Sequence, residues 1–594
     1  MRRSGSAARA TTLALAGAML ALGGALVATA PAHATDFPDV DSETELNAAI
    51  VHAVTNPGDP VVVDISGDFS IASGIAPLTD GSLTVHGNGH TISAGSVSAA
   101  GFVATGDSSL SIDGVTFDFY ESGAVVTALG SSADPANSPT VTISGVVATA
   151  GAFDVAFVIQ DTAFSLSTTT IHDSESAIEG VFTFGTTSLA DVTILDSVDC
   201  GATVYLTDDA HLDVEWLAIE RSGCTALAIA AVDDATATIA QSRFADNFGG
   251  IAVQNLSTGT VEIADSTISG STGEEQLALF GFSGTTRITN ATISGGLDTG
   301  FPAISAEVED GDVVLAHSTV TDNATSISPI LYAGGPCGCG GTGAIILDHT
   351  VVAGNPGTGV GLPDLVIDTD LDSASSVSRS LIGAVDPTDA VTLALIEDPA
   401  GHNLFDVTTP IDPELGPLAL NGGSTLNHLP DATSPLINAG DPAFAPPPAT
   451  DQRGAARISG GIVDIGSVEV QFTPSLVLSR TTTAVGEQVT LTGAGFPAST
   501  EFTLVFNSTP VTLGTATSDA SGGLAFVFNV PASVSPGAHT VTATLAGNVL
   551  ASAAIDVTGL PDTGANATPA AAIGALLLLA GVATIAFSRR RRIS

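Results

Sequence analysis

Through the middle of the chain one short theme recurs: alternating apolar residues, a polar break of two or three residues, and another apolar residue. Its clearest copies are Ile239-Ala-Gln-Ser-Arg-Phe244, Ile263-Ala-Asp-Ser-Thr-Ile268, Ile288-Thr-Asn-Ala-Thr-Ile293, Leu315-Ala-His-Ser-Thr-Val320 and Leu347-Asp-His-Thr-Val-Val352. Anchored on the last residue of each copy, the series runs Phe117, Ala148, Ile171, Ile194, Ile219, Phe244, Ile268, Ile293, Val320, Val352 and Ile382, mostly 23 to 25 residues apart, with wider gaps marking inserted loops. A period of about 24 residues is too short for two helices, whereas period-two segments broken by Gly, Asp, Asn or Ser suit short strands that turn corners. The predicted fold is all-β: a right-handed parallel β-helix in which about a dozen coils stack about 4.8 Å apart, filling the interior of a rod roughly 60 Å long.

The pattern changes on either side. Ser42-Glu-Thr-Glu45 has the form of a capping box ahead of Leu46, Ile50 and Val54, which predicts an amphipathic helix over 43–54 covering the first coil's open edge. From Pro474 to Thr558 longer alternating strands follow, Leu476–Leu478, Gln488–Thr492, Phe502–Phe506, Leu524–Asn529 and Thr540–Leu545. Roughly seven such strands predict an immunoglobulin-like β-sandwich over 474–558, lacking the Cys pair and Trp of antibody domains and acting as a spacer.

Composition narrows the chemistry. The 594 residues are 44% hydrophobic and 13% charged, enough apolar content for several cores. All 14 basic residues are Arg, set against 62 acids, for a net charge of −48. Without Lys there is no lysine nucleophile or Schiff base. A surface this negative repels nucleic acid and anionic lipid, so neither is expected as a partner.

The termini read as addresses. Arg2 and Arg3, an apolar run from Thr11 to Ala28, and the small residues Ala32 and Ala34 predict a secretory signal peptide over 1–34, cut before Thr35. Ala570–Phe587 is uncharged and about 27 Å long as a helix, a predicted single transmembrane span with the basic tail Arg589–Arg592 on its cytoplasmic side. Directly before it stand Leu560, Pro561, Asp562, Thr563 and Gly564. Pentapeptide, span and basic tail in this order resemble the sorting signal, here 560–594, of sortase-anchored LPxTG-type Gram-positive cell-wall proteins. The resemblance implies sortase as a partner and attack at the Thr563–Gly564 bond. It also implies covalent attachment of Thr563 to peptidoglycan, with the membrane spanned only before sorting.

The repeat resembles the right-handed β-helix proteins. Downstream, Gly401-His-Asn-Leu-Phe405, Leu415 to Thr425, Ser434 to Asp441, Thr450-Asp-Gln-Arg-Gly454 and Asp464 to Glu469 resemble the closing segment of the choice-of-anchor Q family, a bacterial surface group. That resemblance implies a β-helix domain over 35–471. Arg453 is expected to form a buried ion pair with Asp441 or Asp464.

Hydrolytic β-helix enzymes gather Asp, His, Lys or Arg on one outer face. The third residue of each copy, Asp191, Trp216, Gln241, Asp265, Asn290, His317 or His349, falls at a corner, the place of an asparagine ladder that bonds turn backbone in related solenoids. His317 and His349, with Asp265 two coils away, form an alternative metal set, to which Cys337 and Cys339 could contribute as zinc ligands. A second column, Asp173, Asp196, Asp246 and Asp322, followed at some coils by Asn247, Asn323 or Asn355, reads as turn residues or as the paired carboxylates of a glycosidase. Asp368 to Asp372 starts like a calcium loop, but Ser373 and Arg379 replace the Gly and Glu of an EF-hand, leaving only nonspecific Ca²⁺. Cys200 and Cys224 lie one coil apart, which predicts a disulfide. Aromatic residues make up 5% with one Trp, so stacking platforms are scarce. The sequence therefore reads as a noncatalytic surface rod, without cofactor or metal, that meets a glycan or matrix protein. The alternative is a wall-anchored polysaccharide hydrolase or lyase, which a groove holding two or three convergent carboxylates would favour.

Overall fold

The anchor residues of the repeat stack in one column. Parallel backbone pairing joins Ile92 to Phe117 and Phe117 to Ala148, then runs on through Ile171, Ile194, Ile219, Phe244, Ile268, Ile293, Val320 and Val352 to Ile382. Each is at most 1% exposed. The computed structural model describes residues 34–559 except 95–100, 120–123, 132, 134, 150–154, 199–200, 282, 298–299, 325–329, 335–341, 357–361 and 369–373. Within them the repeat forms a parallel β-helix with three faces. Two faces belong to a 24-stranded sheet, and the third is an 11-stranded sheet running from Phe102–Thr105 to Leu365–Ile367. Ala32, the sorting residues 560–564, the apolar run 570–587, Cys200, Cys337, Cys339 and most of the suspected calcium loop lie outside the described residues. Among the described residues no helix is long and apolar enough to cross a membrane.

Strands Ala163–His172, Thr186–Leu195 and His211–Glu220 pass from one face to the next without a break, bending at Thr168, Asp191 and Trp216, whose φ angles are 47°, 56° and 57°. Gln241, Asp265, Asn290, His317, His349 and Arg379 continue this left-handed column. Short polar side chains tolerate that conformation best. The ladder expected of these side chains is instead formed by the residues that follow them. Ser242, Ser266, Ser318 and Ser380 each donate a hydroxyl bond to the carbonyl two residues back and accept an amide from the preceding coil. The reason is reach: a hydroxyl one bond from Cβ spans the sharp turn that the third-position side chain leaves outside.

The asparagine ladder occupies the second corner. Asn247 Oδ1 accepts the Ser222 amide at 2.8 Å, Asn323 Nδ2 donates to the Ile293 carbonyl at 3.1 Å, and Asn355 Oδ1 accepts the Asn323 amide at 3.0 Å. The preceding residue is left-handed at every such coil. Arg221 holds the same conformation at φ 59°, and at three other coils without Asp, Gly270, Gly295 and Gly354 supply φ angles of 71°, 70° and 72° at no steric cost.

Helix α1 (Glu43–Thr55) covers the first coils through Leu46, Ala49, Ile50 and Ala53. Its capping box departs from expectation: the Ser42 hydroxyl donates to Glu45 at 2.8 Å rather than accepting a helix amide, and Glu45 accepts the Asp41 amide. Helix α2 (Ala390–Ile396), capped by Asp389, packs Ile396 against the last coils. Residues 397–472 then form no regular strand or helix. Beyond them, strands from Ser475 to Thr558 make sheets of three and five around Leu491, Phe502, Leu504, Phe506 and Val541.

Cys224 is disulfide-bonded, and no described cysteine is free. The strand after it pairs Leu227 with Ala202, the one-coil offset that the Cys200–Cys224 spacing requires. Non-reducing peptide mapping is expected to recover Cys200 joined to Cys224. A Cys224–Cys337 linkage, or free Cys200, would show the pairing to be wrong.

Candidate functional site

One outer face of the coils is covered over much of its length by the segment 397–472. Thr267, Thr292 and Thr319 form an outward column by register, yet they are 0%, 0% and 3% exposed. The segment 397–472 runs back along the coils and bonds to them. Thr292 Oγ1 donates to Gln452 Oε1 at 2.6 Å, Thr425 Oγ1 to the Asp265 carbonyl at 2.9 Å, and the Ser467 amide to Thr319 Oγ1 at 3.0 Å. Asn290 Nδ2 donates to the Thr450 carbonyl at 2.9 Å, and Ser294 Oγ meets His428 Nε2 at 2.8 Å. Outward Val351 and Leu381 pack on Leu436 and Ile465.

A buried charge cluster holds this clasp together. Arg457 is fully buried, donating to the Gly466 carbonyl at 3.0 Å and to Asn290 Oδ1, with Asp451, Asp464, Glu469 and Asp265 around it. Arg453 grips Asp451 at 2.8 and 3.0 Å and the Glu469 carbonyl at 2.6 Å. Its partner is thus neither Asp441 nor Asp464. Two residues along a tight turn bring Asp451 to it, while Asp464 is satisfied by the amides of Asn438 and Val470 and Asp441 faces Arg379 at 3.5 Å. Burial pushes the carboxyls of Asp464 and Glu469 upward. Arg457 had no sequence signal of its own, since one Arg in a polar segment looks like a solvated residue.

His317 and His349 stack at 4.6 Å with planes 14° apart, and both meet the edge of Phe444. The third group beside them is Asp348; the expected Asp265 is bound instead to Asn290 at 2.9 Å. His349 Nε2 accepts the Asp441 amide at 2.9 Å, so its proton sits on Nδ1, which approaches Asp348 Oδ1 at 3.0 Å along a bent line. A metal at His349 Nε2 would have to displace the amide bond that docks Asp441. The pair serves as a lock for the clasp.

In the second column Asp173, Asp196, Asp246 and Asp322 are all exposed and left-handed. Arg221 clamps Asp196 at 2.6 and 3.0 Å, and that hydrogen bonding lowers the Asp196 pKa. Asp322 is different. It lines a groove of about 380 Å³ with Asn355, Asp364, Ile411 and Asp412. Asp364, at the floor, accepts Asn355 Nδ2 at 2.9 Å and the Ala384 amide at 2.6 Å, and burial raises its pKa to about 6. Asp364 and Asp412 escaped the sequence reading because neither belongs to a repeat column; the clasp carries Asp412 there.

Residues 557–593 match the LPXTG cell wall anchor motif. The protein is anchored to the cell wall. Sortase processing and covalent attachment to peptidoglycan follow from that motif, and the β-helix stands on the outer surface. Comparison with curated proteins gives no match. Among solved structures, the periplasmic alginate epimerase AlgG is 12% identical with a TM-score of 0.33, covering 56% of this chain and 82% of its own. A mannuronic acid specific polysaccharide family 6 lyase from human gut microbiota is 9% identical with a TM-score of 0.28, covering 58% and 86%. Likeness at these scores carries no argument about activity.

Burial drives the pKa of His317 from 6.5 down to about 2, so the folded state keeps it neutral while the unfolded chain protonates below 6.5. The unfolded state then binds more protons, and stability falls as pH drops through about 6.5. At pH 5 this amounts to about 2 kcal/mol. His317→Phe, which keeps a ring against Phe444, is expected to lose that part of the acid sensitivity. Thermal unfolding of both proteins between about pH 7.5 and pH 5 checks it; Asp364, whose raised pKa acts in the opposite direction, is common to both.

Proposed function

We propose that this wall-anchored protein is a noncatalytic surface rod of choice-of-anchor Q type, carrying an immunoglobulin-like spacer and, until sorting, a transmembrane helix. Its role is contact with an extracellular ligand, a glycan or matrix protein. The observation that carries this reading is the clasp: from Gln241 to Arg379 the corner column is occupied by the protein's own segment 397–472, which leaves no access there for a polymer. Three of the four arginines on the coils are likewise engaged, Arg221 with Asp196, Arg243 with Glu220 and Arg379 with Asp441, and Arg287 stands apart from them rather than in a cluster that would stabilise an enolate.

Leu560→Ala with Pro561→Ala is expected to move the protein from the wall fraction to membrane and medium, as seen by fractionation of intact cells. Unchanged wall linkage would end the role of Thr563.

The groove at Asp322 favours a second reading, an anchored glycoside hydrolase. It joins exposed carboxylates, Asp322 and Asp412, to one near-neutral acid, Asp364. Against it, Asp364 is fixed by two protein donors and buried below the groove. Pectin, alginate, xylan and hyaluronan are expected to show no turnover with or without Ca²⁺. Reducing-end release that disappears in Asp322→Asn or Asp364→Asn would promote the enzyme.

A further inference from the structure

The corner column leaves the clasp one rung before Gln241, at Trp216, the only tryptophan in the chain. Three properties of this residue set it apart on the column. It is 47% exposed, so the largest side chain available adds little to the core. Its φ of 57° is a conformation that disfavours bulky residues and that Asp191 and Asn290 adopt on other rungs with less strain. Its indole N–H is held by Gln241 Oε1 at 2.9 Å, and the same oxygen accepts Ser424 Oγ from the clasp at 3.2 Å. The N–H is therefore engaged within the protein while nearly half of the residue stays open to solvent. Strain together with exposure is the pattern of a residue kept for contact.

Register sets its surroundings. Asp213 and Glu215 lie outward on the same strand, alternating with buried Leu212 and Val214, and Asp191 occupies the next rung. Beyond the corner, Ala218 keeps the floor low between Thr193 and Arg243. By register the outward side chains nearest the corner include the carboxylate acceptors Asp191, Asp213 and Glu215. A ligand that fits them brings hydroxyl donors beside a flat patch of C–H groups, which is the chemistry of a pyranose. Three carboxylates on a chain of net charge −48 turn away an anionic polymer. We propose that Trp216, with Asp191, Asp213 and Glu215, is a stacking platform for a neutral polysaccharide. It gives the noncatalytic rod its ligand class and rests on that reading.

With one tryptophan, fluorescence reports from this site alone. Purified full-length protein titrated with xylohexaose, cellohexaose or mannohexaose is expected to give a saturable shift of tryptophan emission with at least one sugar, and none with oligogalacturonate. By calorimetry, Trp216→Ala is expected to bind at least about tenfold more weakly, Trp216→Phe to fall between, and Glu215→Gln to weaken binding with the ring intact. Unchanged emission across the neutral sugars overturns the proposal. So does undiminished affinity in Trp216→Ala, or a response to choline or oligogalacturonate alone. Wall fractionation and reducing-end assays read the underlying role separately, so failure here leaves anchoring and the absence of turnover to stand or fall by themselves.

Discussion

Coil-to-coil register is the constraint on which the rest depends. Alternation along each strand means that a slip of one residue would turn the whole column from Ile92 to Ile382 outward. Two features prevent it. Left-handed residues fix where each coil bends, and the Ser and Asn ladders tie each bend to its neighbour through backbone amides. At these corners the buried amides of Leu217, Ser242, Ala291, Thr350, Ser222 and Asn323 are each bonded by a Ser or Asn side chain of the next coil.

Such a stack has exposed ends and one face lined with threonine. Helices α1 and α2 cover the ends with apolar side chains. The face is handled differently, with hydroxyl, amide and carboxylate groups meeting partners of the same kind across the clasp. Buried Arg457 among Asp451, Asp464 and Glu469 costs several kcal/mol of desolvation per ion unless each partner is in place. Polar docking therefore admits one register of the segment, where an apolar seam would tolerate sliding. The stacked histidines belong to this device: they occupy the column at the rungs where Asp441 must dock.

The functional surfaces are what the clasp and the stack leave open. Wall attachment holds the protein on the cell surface, and the chain carries a net charge of −48. The exposed rungs before Gln241 and the groove at Asp322 are two places, among the described residues, where side chains meet solvent in a shaped setting. One is aromatic and rigid, and the other is acidic with its deepest carboxyl already bonded.

What the sequence determined by itself was local or periodic. The coil period, the inward column and the anchor motif each lie within one turn of chain or repeat at a fixed interval, so their meaning survives without knowledge of distant contacts. What only the tertiary structure decided was which side of a polar pattern is covered. Thr292 and Gln452 are 160 residues apart, and a threonine bound to a distant glutamine has the same sequence signature as one bound to water. The burial of Arg457 among Asn290 and the clasp carboxylates, the displacement of the corner ladder by one residue to serine, and the assembly of Asp322, Asp364 and Asp412 all depend on such pairings. Hydrogen bonds between polar groups replace bonds to water of nearly equal strength, so composition does not record them; burial of apolar columns has no equivalent in water, and composition does.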